Sequence, residues 1–162
     1  MNFAPQSKVW VYHADSILTE QENQLVTHKL AHFISKWESH GQLVKAKAEI
    51  RHNRFIIITA DETIASIGGC AIDALIRIMK EIGKEMKIDF FNRFYVSYRN
   101  PLGTIVSANR NEFEHAIATG EISANTIVFN SLVENLEELN TQWEIPFKQS
   151  WHRHVFPMPL PI

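Results

Sequence analysis

The sequence predicts an α+β protein on a ferredoxin-like βαββαβ core, an antiparallel sheet with two helices on one face. Three observations predict it. Strand and helix signals run strand, helix, strand, strand, helix, strand over residues 8–100. Residues 43–51 alternate strictly between apolar and charged side chains. Phe55, Ile56, Ile57 and Ile58 do not alternate, which marks a strand buried on both faces.

Residues 8–13, Lys8-Val9-Trp10-Val11-Tyr12-His13, are β-branched and aromatic and read as the first strand. Thr19 stands three residues before Glu22, the spacing of a capping box. Val26, Leu30, Phe33, Ile34 and Trp37 then recur at helical spacing, and Gly41 marks the expected stop. In the next strand Val44, Ala46, Ala48 and Ile50 fall on one face, with Lys45, Lys47, Glu49 and Arg51 on the other, as in a half-buried edge strand. His52-Asn53 forms the turn and residues 54–60 return beside it. A second helix over residues 70–86 carries the stripe Ala71, Leu75, Ile78, Met79, Ile82 and Met86. Residues 90–98 supply the fourth strand, ended by Asn100-Pro101.

Residues 101–162 read as a carboxy-terminal α/β extension of the same single domain, 1–162. Short strands are expected at residues 104–107 and 126–129, and helices at 110–119 and 132–143. An aromatic tail of Phe147, Trp151 and Phe156 ends in alternating Pro157, Pro159 and Pro161. In a bare ferredoxin-like fold the second face of the sheet meets water. The run Phe55–Ile58 therefore needs a cover, and this extension is the only material for it.

The formal net charge of −2 and pI near 6.4 give no field that selects nucleic acid or an anionic membrane. Cys70 is the one cysteine, so no internal disulfide forms, and an unpaired thiol suits a reducing compartment. With no basic, apolar leader at Met1–Pro5 and no apolar run near the ~20 residues of a membrane helix, the sequence reads as cytoplasmic.

Gly68-Gly69-Cys70 at the start of the second helix is the most suggestive local feature. Free N–H groups and the positive dipole end favour an anion there and lower a thiol's pKa. Asp73 stands where it can cap those amides itself, and Asp61 and Glu62 oppose a thiolate. His28 and His32, four residues apart, have a metal-compatible spacing but lie opposite the apolar stripe and read as solvent-facing; His152 and His154, flanking Arg153, carry no more weight, and no metal site is expected. Lys45, Lys47, Arg51, Arg54, Arg93 and Arg99 with Trp10, Tyr12 and Tyr95 suggest a basic aromatic face, but residues 54–60 lack the glycine–aromatic pattern of an RNA-binding sheet. No G-x-x-x-x-G-K-S/T loop, nucleophile elbow or dinucleotide fingerprint occurs, so neither a cofactor nor ATP hydrolysis is expected.

Several strings stand out together: Asn53-Arg54-Phe55-Ile56-Ile57, Asp61-Glu62-Thr63, Gly69-Cys70-x-Ile72-Asp73, Thr126-Ile127-Val128-Phe129-Asn130, and Trp143-Glu144-x-Pro146-Phe147 with Ser150-Trp151-His152. Over residues 8–156 the chain resembles a family of uncharacterised bacterial proteins of about this length, often labelled "ABC transporter ATPase". The resemblance implies no particular site residue. Two functions remain as expectations. The first is a non-catalytic protein that binds a small anion, a protein partner or a second copy, through Gly68, Gly69, Cys70 and Asp73 or the aromatic tail. The second is a thiol-dependent enzyme using Cys70.

Overall fold

The computed structural model describes residues 2–157, so Pro159 and Pro161 of the tail lie outside the described residues. Its first half builds a three-stranded antiparallel sheet from β1 (Lys8–His13), β4 (Lys45–Arg51) and β5 (Phe55–Asp61), in the order β1-β5-β4. The helices α1 (Glu20–Lys36) and α2 (Gly69–Met86) cover one face. The capping box forms as read: Thr19 Oγ1 accepts from Glu22 N, and Glu22 Oε1 accepts from Thr19 N. Gly41 does not stop α1. The helix ends at Lys36, where Trp37 turns extended and donates its indole N–H to Ala71 O at 2.9 Å. Gly41 instead sits with His40, both at positive φ, in the turn of a small hairpin, β2 (Glu38–Ser39) and β3 (Gln42–Leu43). His52 and Asn53, at φ 55° and 54°, make the tight β4–β5 turn.

The expected ferredoxin-like topology is not completed, because its fourth strand goes elsewhere. After α2, Lys87 takes a left-handed cap at φ 58°, and Ile88 N–H returns to Gly83 O. A Cβ on Gly83 would lie 2.6 Å from Ile88 O, so this return requires glycine. Ile88 and Phe90 bury under the α1–α2 face, and only Val96–Arg99 (β6) is strand. That strand joins a second antiparallel sheet, β7-β6-β8-β9, with β7 (Ile105–Ala108), β8 (Ile127–Phe129) and β9 (Glu144–Pro146). The hairpin with β7 and the pairing of Tyr98 with Val128 take β6 away from β1.

The carboxy-terminal third also supplies α3 (Arg110–Ala118), α4 (Leu136–Gln142) and α5 (His152–Val155). Phe129, Val133, Leu139 and Trp143 pack on Val9, Phe55 and Ile57, the face of the first sheet turned away from α1 and α2. Phe55 to Ile58 are each 0% exposed, as two-sided cover demands. Among the described residues no helix is long and apolar enough to cross a membrane.

Candidate functional site

The start of α2 comes out differently from its sequence reading. Gly68 is the N-cap at φ −80° and ψ 172°, ordinary extended backbone that needs no glycine for conformation. A Cβ there would lie 2.9 Å from Nε2 of the exposed His40, a side-chain end that can swing aside. Gly69 has open space around it, and Cys70 is exposed. Asp73 is exposed and caps nothing: α2 has no side-chain cap and no acid in its first turn. Ser39 does the local work, accepting from Gly68 N at 2.9 Å and donating to Ser66 O at 2.6 Å. Asp61 and Glu62 are engaged nearby, on Thr63 N and Ile67 N respectively. Thr63's amide and hydroxyl, with Lys45 alongside, hold the Asp61 carboxyl below its ordinary range.

The other sequence candidates do not assemble. His28, His32 and His154 are exposed, and no three metal-ligating groups gather among the described residues. His152 is fully buried, with Nδ1 on Ser150 Oγ at 2.6 Å, and burial pulls its pKa down to about 4. The basic aromatic face is split. Trp10 and Tyr12 point to the helix side of the first sheet, while Lys45 and Lys47 stack on Phe3, and Arg51 on Trp143, on the far side.

What the structure brings together is the free edge of β1. In an antiparallel ladder the N–H and C=O of alternate residues point to opposite sides of the strand. Ala14 N–H donates to Arg54 O, so Trp10 and Tyr12, of the same parity and paired with Ile58 and Ile56, bond towards β5. Ser7, Val9, Val11, His13 and Asp15 direct their backbone groups outward. Some of these are satisfied: Leu136 N donates to Ser7 O, Val9 N to Glu134 O at 3.0 Å, and Asp15 N to Asp89 O at 3.2 Å. Five are not. Among the described residues, Val9 C=O, Val11 N–H and C=O, and His13 N–H and C=O have no hydrogen-bond partner in the chain. This edge is where the fourth strand of a ferredoxin-like sheet would lie.

The edge lies along two cavities that share Val11 and Tyr12. The first, about 590 Å³, runs past Trp10 between Ile72 of α2 and Val133. The second, about 530 Å³, is bounded by Phe90, Phe91 and Tyr95 on one side and Leu132 and Trp151 on the other. The second is walled mostly by aromatic and apolar side chains, whereas the first sets Trp10, Ile72 and Val133 among polar groups such as Gln6, Glu62 and Glu134. Phe91 packs edge-on against Tyr12 at 5.6 Å, and Trp151 Nε1 is buried without a partner. Burial pushes the Tyr12 phenol up to about 12, so it stays neutral.

One end of the edge is anchored by a buried polar chain. His13 Nδ1 lies 3.0 Å from Tyr95 O, which can only accept, so Nδ1 carries the proton and Nε2 is an acceptor. Ser97 Oγ is 2.8 Å from that Nε2, Ser107 Oγ is 2.6 Å from Ser97 Oγ, and Arg54 Nη1 donates to Ser107 Oγ at 2.9 Å. The Tyr95 carbonyl at one end and the Arg54 guanidinium at the other fix Nδ1 and Nη1 as donors, and either serine hydroxyl can donate to Nε2 between them. Burial drops the His13 pKa to about 4, partly opposed by the Tyr95 carbonyl and assisted by Arg54. A base that weak is a poor proton acceptor at neutral pH, and Ser97 is 1% exposed, so the Ser–His contact is a clasp between the sheets.

The sequence reading missed this edge. Val9, Val11 and His13 share a parity visible in residues 8–13, but whether a neighbour fills that side depends on where residues 96–99 go. No family model, curated protein or solved structure matches the chain.

Proposed function

We propose that this is a non-catalytic interaction protein that accepts an extended polypeptide segment along the free edge of β1. The observation that carries the reading is the row of five unpaired backbone groups at Val9, Val11 and His13, in a groove that is aromatic at its His13 end and mixed polar and apolar at its Val9 end. Donors and acceptors alternating at two-residue intervals match another strand's backbone, and strand addition to an exposed edge is an established mode of peptide recognition. A bare edge invites aggregation. Here Glu134–Leu136 and Asp89 close the two ends on the chain's own backbone and leave a slot.

The test uses the neutral probe acetyl-Val-Thr-Val-Thr-Val-amide. Its addition should shift the Val11 and His13 amides in NMR spectra and slow their exchange with solvent. Val11→Pro removes one outward N–H and no β5 bond, and should abolish the effect while leaving the protein folded. Unshifted amides at saturating probe, or equal binding by Val11→Pro, would reject the reading.

A second reading, a small anion at the start of α2, is favoured by one observation: no side chain covers the first amides of that helix, because Asp73 is turned to solvent. Phosphate titration should shift the amides of Gly69, Cys70 and Ala71 saturably; linear, non-saturating shifts would reject it. Cys70 is exposed at the same helix end, yet no side chain positioned to activate it hydrogen-bonds to it among the described residues, so the thiol-enzyme reading gains no support.

A further inference from the structure

Resting on the strand-accepting reading, we infer that the occupant of the β1 edge is a segment of about five residues running antiparallel to β1, with an acidic residue near its amino end, a basic residue near its carboxyl end, and β-branched or aromatic residues between them on the helix side. The direction follows from topology. The sheet order β1-β5-β4, with α1 and α2 on one face, leaves vacant the place beside β1 that an antiparallel strand takes when such a sheet is complete.

Length follows from the blocked ends. Glu134–Leu136 already lies beside Ser7–Val9, and Asp89 bonds Asp15, so an incoming strand has room only from Val9 C=O to His13. Charge disfavours a second copy. Two β1 strands paired about a dyad at Val11 would bring Lys8 of each to the Arg93 end of the other, like charge against like.

Side-chain preference follows from the pleat. Residues opposite Trp10 and Tyr12 share their face and meet Ile72, Phe90 and Phe91. The charge pattern follows from the rims. The His13 end is lined by Arg93, with the nearby carboxylates of Asp15 and Asp89 turned onto the amides of Asp89 and Phe91, and the Val9 end by Glu134. Both are exposed, and neither forms an ion pair among the described residues, whereas Lys8 and Glu62 at the Val9 end face each other at 3.6 Å. An antiparallel segment puts its amino end beside Arg93 and its carboxyl end beside Glu134.

Two probes of identical composition test this: acetyl-Glu-Val-Thr-Val-Lys-amide and its reverse, acetyl-Lys-Val-Thr-Val-Glu-amide. The first should bind roughly threefold to tenfold more tightly, from two rim charge pairs. In the double variant Arg93→Glu, Glu134→Lys the preference should invert. Equal binding of both probes, with Val11 and His13 amides shifted, would overturn the direction and charge pattern while leaving strand acceptance standing. No shift with either probe would overturn both. Sedimentation of the free protein as a dimer that Val11→Pro makes monomeric would give the edge to a second copy and overturn the inference.

Discussion

The free edge of β1 and the start of α2 both present backbone groups with no protein partner, but they present different patterns. At α2 the groups are N–H donors only, converging on one point at a solvated surface. Water or a small anion satisfies such a cluster. Along β1 the groups alternate between donor and acceptor at every second residue, in a groove with apolar and aromatic side chains on its helix side. Only another extended backbone matches all of them at once. The pattern of unpaired groups, more than their number, selects the ligand class.

Proline substitutions sharpen this comparison most. Tyr12→Pro removes the N–H that bonds towards β5 and a side chain that is 8% exposed, and should cost at least about 3 kcal/mol. Val11→Pro, one residue away, removes an N–H that bonds nothing and should cost about 1 kcal/mol or less. Urea unfolding of both variants checks the pair. Equal costs would mean that the outward side of β1 is already partnered.

Acid should act on the anchored end of the edge. His13 titrates at about 4 in the folded protein and near 6.5 when unfolded. Between those values the unfolded chain binds more protons, so stability is complete above pH 6.5 and falls as pH drops towards 4. The loss reaches about 3 kcal/mol. His152, also at about 4, adds a loss of the same sign. Denaturant melts at pH 7, 5.5 and 4.5 should show this decline, and His13→Gln should flatten part of it. Ser97→Ala leaves His13 Nε2 with only the longer 3.3 Å contact to Ser107 and should cost about 1–2 kcal/mol.

Much of the fold was legible because it is written locally. The alternation from Val44 to Arg51 located an edge strand, Thr19 and Glu22 located a helix start, and His52-Asn53 located a turn. The solid run Phe55–Ile58 correctly implied two covered faces. The fourth strand was misread because residues 88–98 are apolar and aromatic enough for any sheet. Its destination is decided by strands that follow it, through the hairpin that pairs Arg99 with Ile105 and the long-range pairing of Tyr98 with Val128. The open edge was illegible for the same reason, since a missing neighbour leaves no mark on the residues that lack it. At α2 the sequence located the amides and offered Asp73 as a possible cap for them; Asp73 is exposed, and Ser39, distant in sequence, accepts from Gly68 N–H.

That last correction yields the smallest expected effects. Ser39→Ala loses bonds to Gly68 N and Ser66 O and should cost about 1 kcal/mol. Asp73→Ala should change stability by less than about 0.5 kcal/mol, because its carboxylate holds nothing. Thermal melts of the two variants distinguish the assignments, and a larger loss for Asp73→Ala would restore it as the cap.

The most direct measurement of the central claim is residue-resolved amide exchange along β1 in the free protein. Trp10 and Tyr12 bond towards β5 and should exchange only with the opening of the sheet, whereas Val11 and His13 face the empty edge and should exchange orders of magnitude faster. Alternating slow and fast amides from residue 10 to residue 13 is the predicted result. Uniformly slow exchange across all four would show that the edge is not open, and would contradict the account.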